Sequence, residues 1–235
     1  MLNNKKITAV IPIRSGSQRV KNKNLRPFAG STLMALKIEN LLKVPELDSI
    51  VVNTNSEEAI DFVTKKYQSE GAGKVTFHRR EEYYASSQCS GSEFFKHLGE
   101  TTDTDIFVYC PCTSPFIKPA TISQCINEYF KTSESDCIAT VSSVKEFLWQ
   151  DGKALNYDPL NAPNSQDLPD IVCLNFGATV VAKSDLINNR NIIGERPRFV
   201  QTTDIEAIDI DTPLDFYIAE QMYRKLIVEG KDLLD

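Results

Sequence analysis

The sequence is poor in the residues that build metal and redox centres. Its 235 residues hold two histidines, His78 and His97, and six cysteines, none of them in C-x-x-C spacing. Zinc sites draw on closely spaced Cys and His, so a zinc cluster is not expected. Cys89, Cys110, Cys112, Cys125, Cys137 and Cys173 read as reduced, mostly buried thiols. Both glycine-rich phosphate signatures, G-x-G-x-x-G and G-x-x-x-x-G-K-[ST], are missing. No apolar run approaches the ~18 residues of a membrane span. The opening MLNNKKITAVIPIRSG has a short apolar stretch that contains Pro12, stops at Arg14 and lacks a small-residue cleavage site. It reads as a buried first strand and not as a signal peptide, which predicts a cytoplasmic protein. There is no long basic block, and 26 Lys plus Arg against 32 Asp plus Glu give a net charge of −6. That balance argues against non-specific nucleic-acid binding. Internal repeats and low-complexity tracts are absent too.

What remains is an ordinary globular composition, 41% hydrophobic and 25% charged. Strand-like and helix-like segments alternate. Residues 7–13, 49–55, 74–79, 105–110 and 137–144 are β-rich and apolar; residues 34–44, 57–67, 90–98, 119–131 and 212–230 carry helical periodicity. Ser56 and Thr212 are good N-caps, Pro119 and Pro213 suit first turns, and Gly230 is a stop. The alternation predicts an α/β domain over 1–235, with a mostly parallel sheet covered on both faces. The stretch 150–170 breaks the pattern: it is polar and holds Pro159, Pro163 and Pro169. An irregular insertion of that length is a flap or an interface arm, which we bound at about 145–172.

The most informative segment is IPIRSGSQRVKNKNLRPFAG, residues 11–30. A strand end leads into a loop carrying Arg14, Arg19, Lys21, Lys23 and Arg26, with Gly16 and Gly30. Ligands of open α/β sheets bind beyond the carboxyl ends of strands. A glycine-containing loop lets backbone N–H groups approach phosphate, and five cations would neutralise a triphosphate.

The order Arg14-Ser15-Gly16-Ser17, then Lys23-Asn24-Leu25-Arg26, resembles the N-terminal signature of the acylneuraminate cytidylyltransferases. DIEAIDIDTPLDFYIAE (204–220) resembles that family's I-D-I-D-T-P-x-D-F segment, TSPF (113–116) its T-S-P turn, and NFGA (175–178) its N-G-A strand. The resemblance implies a Rossmann-like three-layer α/β/α nucleotide-diphospho-sugar transferase fold with a mixed sheet and a dimerisation arm. It implies transfer of CMP from CTP to an acidic sugar, release of pyrophosphate, a Mg²⁺ cofactor and a homodimer. It puts Arg14, Gly16, Ser17, Lys23 and Asn24 on the triphosphate, and Arg79 (with Arg80 one residue away) and Ser90 on the cytidine. Asp209 and Asp211 become the metal pair, and Arg14, Lys23 and Asp211 the catalytic set. If residues 208–211 form a strand, Asp209 and Asp211 also project to one face, as a phosphate-bridging metal needs; a simple acidic cluster ahead of the Thr212 cap is the plainer reading.

The chain departs from the family's pattern at Gln18, where a lysine is usual, and at Pro111, Ile117 and Ser165, near which the family places acceptor-binding groups. Those three changes predict an acceptor other than ordinary sialic acid, unless Lys145, Asn164 or Arg198 does the same work. A cytidylyltransferase acting on a small acid such as a phosphonate, a metal-dependent glycosyltransferase and a non-catalytic nucleotide-binding protein are the alternatives.

Overall fold

The structure, a computed structural model, describes residues 2–16, 19–68, 73–132 and 134–231. Its centre is a seven-stranded sheet of β1 (Ile7–Ile13), β2 (Ser49–Thr54), β3 (Val75–Arg79), β4 (Ile106–Tyr109), β5 (Cys137–Val144), β6 (Ile171–Ala182) and β7 (Pro197–Gln201). The spatial order is β7-β5-β6-β4-β1-β2-β3. β1 runs parallel to β2 and β4, and β2 parallel to β3; β6 is antiparallel to both β4 and β5. The sheet is mixed for that one reason.

Burial on both faces explains the continuous apolar runs. Ile7, Ala9, Ile11 and Ile13 of β1 join one core with α1 (Leu33–Leu41), α2 (Glu57–Val63), α5 (Pro119–Lys131) and α7 (Pro213–Tyr223). Val10 points the other way, to a second core with Phe107, Val181, Leu98 of α4 (Gly91–Thr101) and Leu186 of α6 (Lys183–Asn189). Between α2 and α4 lies the one-turn helix α3 (Glu82–Ala85). The result is three layers, helices on sheet on helices.

Ser56 and Thr212 cap as expected: Ser56 Oγ accepts from Ala59 N, and Thr212 forms a capping box with Asp215. Two helices finish differently from their periodicity. After Val63 and after Tyr223 the chain continues as π-helical turns, Thr64–Gln68 and Arg224–Val228, and Gly230 (φ 66°) ends the second. Residues 203–211 are turn and extended coil, not the strand on which Asp209 and Asp211 were to share a face. The backbone there is held otherwise: Ile210 is fully buried and its N–H donates to Thr113 O at 2.9 Å.

The irregular insertion carries a small hairpin, Trp149–Gln150 against Lys153–Ala154, turned by Asp151 (φ 50°) and Gly152 (φ 75°). Two successive positive φ values are what a type I′ turn requires, and Asp-Gly supplies them. This segment joins the end of β5 to the start of β6, where Ile171 pairs with Val144.

Candidate functional site

β1, β2, β3 and β4 all run the same way, so their carboxyl ends line one edge. The order reverses between β1 and β4, because β2 follows β1 on one side and β4 flanks it on the other. Such a switch point opens a crevice. A cavity of about 390 Å³ fills it, walled by Pro12 and Arg14 from the end of β1, by Tyr109, Pro111 and Thr113 from the end of β4, by Arg19, Val20, Lys23 and Asn24 from the loop, and by Arg80, Phe94 and Asp211.

The loop is built rigidly enough to aim its cations. Asn55, just past β2, accepts from Ser15 N (2.8 Å) and donates to Ser15 Oγ (2.7 Å). Gly16 sits at φ 77°, a region that costs a side-chain-bearing residue strain. Val20 is buried and anchors the return, and Asn22 O accepts from both Leu25 and Arg26 N–H. The Pro27–Thr32 hairpin then locks to α7: Ala29 N donates to Glu220 Oε1 at 3.0 Å, and Phe28 packs edge-on against Phe216 and Tyr223. Ser17 and Gln18 lie outside the described residues.

Four cations and one carboxylate line this cavity. Asp211 is clasped by Arg19 at 3.1 Å and by Lys23 at 3.8 Å. The Lys23 ammonium also donates to Ile210 O. Burial, and then Arg19, lowers the Lys23 pKa, against the opposite pull of Asp211 and Asp209. Asn24 Oδ1 is buried with no partner. An acceptor left bare in such a wall is a place where a ligand donor would be favourable.

Asp209 is exposed at the surface yet crowded by protein. That partial burial, and then Asp211, push its carboxyl above the ordinary value, against a Thr113 hydrogen bond and the charge of Lys23. Because residues 209–211 are coil around a buried Ile210, the two aspartates serve neighbouring spaces. Asp211 lines the cationic cavity, and Asp209 lines a second cavity of about 560 Å³ that shares Tyr109, Pro111 and Thr113 with the first. Among the described residues no cluster of three His, Cys, Asp or Glu is arranged to hold a metal by itself. The pair still fits Mg²⁺, which keeps few protein carboxylates and takes its remaining oxygens from phosphates and water.

The structure exchanges Arg79 for Arg80 on the cavity wall. Arg79 ends β3 facing outward in a bidentate pair with Glu57. Arg80 turns inward: it is 5% exposed, donates to Asn53 Oδ1 (2.6 Å) and Asn53 O (2.8 Å), and lies over the Phe94 ring at 4.4 Å. Burial, with the repulsion of Arg14 and against Tyr109, brings its guanidinium down to about 10. Ser90 caps α4 in a capping box with Glu93; Phe94, one turn on, reaches the wall. Two of the three departures from the family pattern lie elsewhere. Ile117 is core, 1% exposed, and its carbonyl accepts from Asn40 on α1; Ser165 sits in the insertion. Pro111 alone stands in both cavities. α1 steadies this loop further through Lys37, buried and donating to Ser114 O at 2.8 Å.

Behind Arg80 lies a pH-sensitive support. Asn53 spends its oxygen on Arg80, so its Nδ2 donates to His78 Nδ1 (2.8 Å), which must be unprotonated. His97 is buried and stacked on Tyr84, ring centroids 3.6 Å apart. Burial lowers both histidine pKa values from 6.5. A lowered pKa means the folded state prefers the neutral ring, so this stability is present above about pH 6.5 and is lost as pH falls below it. Urea midpoints are therefore expected to drop between about pH 7.5 and pH 5.5. A His78→Gln, His97→Gln double variant should flatten that slope; an equally steep slope would remove the histidines from the account.

A crevice lined by four cations and one carboxylate at the switch point of a three-layer α/β/α sandwich is the architecture of the nucleotide-diphospho-sugar transferase fold. Comparison with known proteins narrows this. A family described as cytidylyltransferase matches residues 8–164, 157 of the 235, and the chain belongs to that family. It is 28% identical to CMP-N,N'-diacetyllegionaminic acid synthase of Legionella pneumophila, over 92% of this chain and 96% of that protein. It is 23% identical to the N-acylneuraminate cytidylyltransferase of Oncorhynchus mykiss over 96% of its own length, spanning 52% of that longer protein. Among solved structures, the CTP complex of CMP:2-keto-3-deoxy-manno-octonic acid synthetase shares the fold, with TM-score 0.64, 17% identity, and 92% of this chain and 98% of that one covered.

Proposed function

We propose that this protein transfers CMP from CTP to the hydroxyl of an acidic sugar, with Mg²⁺ and release of pyrophosphate. The observation that carries the reading is the cavity at the strand ends, four cations to one carboxylate, beside a second cavity that shares Tyr109, Pro111 and Thr113 with it. The acceptor hydroxyl forms a bond to the α-phosphorus as the bond to pyrophosphate breaks, and the hydroxyl proton is released. Arg14, Lys23 and Arg80 oppose the charge that builds on the α-phosphoryl group and leaving group. Asp209 and Asp211 would hold Mg²⁺, which neutralises phosphate charge when bound. The family's names for its members fit the reading, as does a cytoplasmic site of action, where the six free thiols stay reduced.

The test is pyrophosphate release from CTP, Mg²⁺ and a panel of sugar acids, alongside thermal shifts with each nucleoside triphosphate. CTP should add about 2.7 kcal/mol of stability at a hundred times its dissociation constant, and more than ATP or GTP at the same concentration. Equal shifts with a purine nucleotide, or no pyrophosphate with any acid, would defeat the reading.

The same reading includes a homodimer built on the insertion at about 145–172. Phe147, Trp149, Leu155 and Leu160 are exposed there, Leu160 at 98%, and Phe199 of β7 is exposed as well. Apolar groups collected on one arm mark an interaction surface. Light scattering should give twice the chain mass at micromolar concentration. Leu160→Asp should shift it toward monomer without unfolding the chain, since Leu160 packs against nothing within one chain, 98% of it being exposed. A monomeric wild type would reject the dimer.

A further inference from the structure

The second cavity is chemically unlike the first. Its walls include Phe95, Leu174, Phe176, Ile192 and Ile193, and among the described residues no lysine or arginine lines it. Tyr109 and Thr113 lie on the seam it shares with the cationic cavity, with Asp209 beside Thr113; Asn191 is its other polar wall residue. An acidic acceptor seated here has its carboxylate drawn to the seam, because the cations are on that side. The rest of the molecule faces aromatic and aliphatic side chains.

Phe176 is placed there at a cost. Between the pairs Leu174–Val141 and Thr179–Ala139, β6 advances five residues while β5 advances two, a large bulge. Within it Phe176 adopts φ 52°. A bulky residue at positive φ is an outlier, and such strain gathers at ligand sites. The bulge is fixed from below: Asn175 accepts from Thr140 Oγ1 (2.6 Å) and donates to Thr202 Oγ1 (2.8 Å). A Cβ on Gly177 would crowd Ile117 Cδ1 at 3.0 Å and Thr140 Oγ1 at 3.2 Å, so glycine packs there without displacing either. The ring of Phe176 stays 42% exposed, on the cavity wall. In NFGA it stands between the asparagine and the glycine of the N-G-A pattern.

We propose that Phe176, with Leu174 and Ile193, selects an acidic sugar bearing apolar substituents, methyl or acylamino groups, where a fully hydroxylated sugar carries hydroxyls. This deepens the cytidylyltransferase reading and rests on it. Hydroxyls turned toward these side chains lose water without gaining partners. Apolar pockets reject an added hydroxyl only modestly, so the expected preference is about 10- to 100-fold in kcat/KM.

The experiment measures pyrophosphate release with CTP and Mg²⁺ for three acceptors: a terminally deoxygenated di-N-acetyl nonulosonic acid, N-acetylneuraminate and 3-deoxy-manno-octulosonate. Phe176→Asn is the variant, because asparagine tolerates positive φ and spares the bulge. The expected result is at least a tenfold preference for the deoxygenated acid, narrowed about tenfold by Phe176→Asn through the acceptor KM. Turnover of all three acids with no preference, or with N-acetylneuraminate best, overturns this inference and leaves the cytidylyltransferase reading standing. A preference that Phe176→Asn does not change, in a variant whose CTP-induced thermal shift is intact, also overturns it. No turnover with any acid overturns both.

Discussion

Asp211→Asn is expected to lower turnover by on the order of a hundredfold or more, if Asp211 holds the metal that neutralises the reacting phosphates. The change is nearly isosteric, and the side chain is half exposed, so folding should survive. The backbone frame around it is independent of the carboxylate: Asp215 accepts from the N–H groups of Asp211 (3.1 Å) and Thr212 (2.7 Å), and Ile210 is tied to Thr113. The variant has a second, opposite signature. Arg19 and Lys23 lose their counter-charge, so the cavity becomes more positive. Metal-free CTP should bind at least as tightly as to the wild type while turnover collapses. Near-normal turnover with an unchanged Mg²⁺ dependence would end the metal assignment.

The parts of this fold that were legible in the sequence are those where local chemistry is decisive. β1 is buried on both faces and therefore reads as an unbroken apolar run; Thr212 and Pro213 announce the start of α7 by capping chemistry alone. β6 was not legible as a long strand, because its first half lies on a ribbon with side chains largely outside the core and its middle is a bulge. β7 is short, and only Val200 of its five residues is buried, which leaves little periodicity. In the site, the basic loop stands out by charge, but the choice between Arg79 and Arg80 depends on how β3 ends. Thr54 pairs with Arg79, and Arg80 N then donates to Thr54 O, turning the next side chain under Asn53. Asp209 and Asp211 flank the buried Ile210 as alternation suggests, but in coil and not in the strand that alternation presumes. The apolar cavity was hidden altogether. Phe95 comes from α4, Leu174 and Phe176 from β6, and Ile192 and Ile193 from the loop after α6. The one departure from the family pattern that lines it is Pro111, and Phe176 gave no signal within NFGA.

Lys23→Ala should cost as much as the loss of the aspartate, while Arg19→Ala should cost far less, and the contrast is the point. Both cations touch Asp211 and both line the cavity. They differ in their surroundings. The Lys23 side chain is 13% exposed and the Arg19 side chain 68%. A charge in the open is screened by water and salt, whereas a desolvated one acts through a lower dielectric. The lowered pKa of Lys23, caused first by burial, reports that desolvation from the protein's own side. Lys23 is also held in place before any ligand arrives, by Ile210 O and Asp211, so it needs little reorganisation as charge shifts to the leaving group. Removing one preorganised donor of this kind typically lowers turnover by about 10²- to 10³-fold. Arg19→Ala should stay within about tenfold, as expected for an exposed ion. Lys23→Arg should restore little, because a planar fork does not replace a compact ammonium wedged between a carbonyl and a carboxylate. Steady-state kinetics on the three variants, with thermal unfolding to confirm that each folds, decides the matter. If Arg19→Ala is as damaging as Lys23→Ala, bulk positive charge and not a preorganised ammonium drives the chemistry.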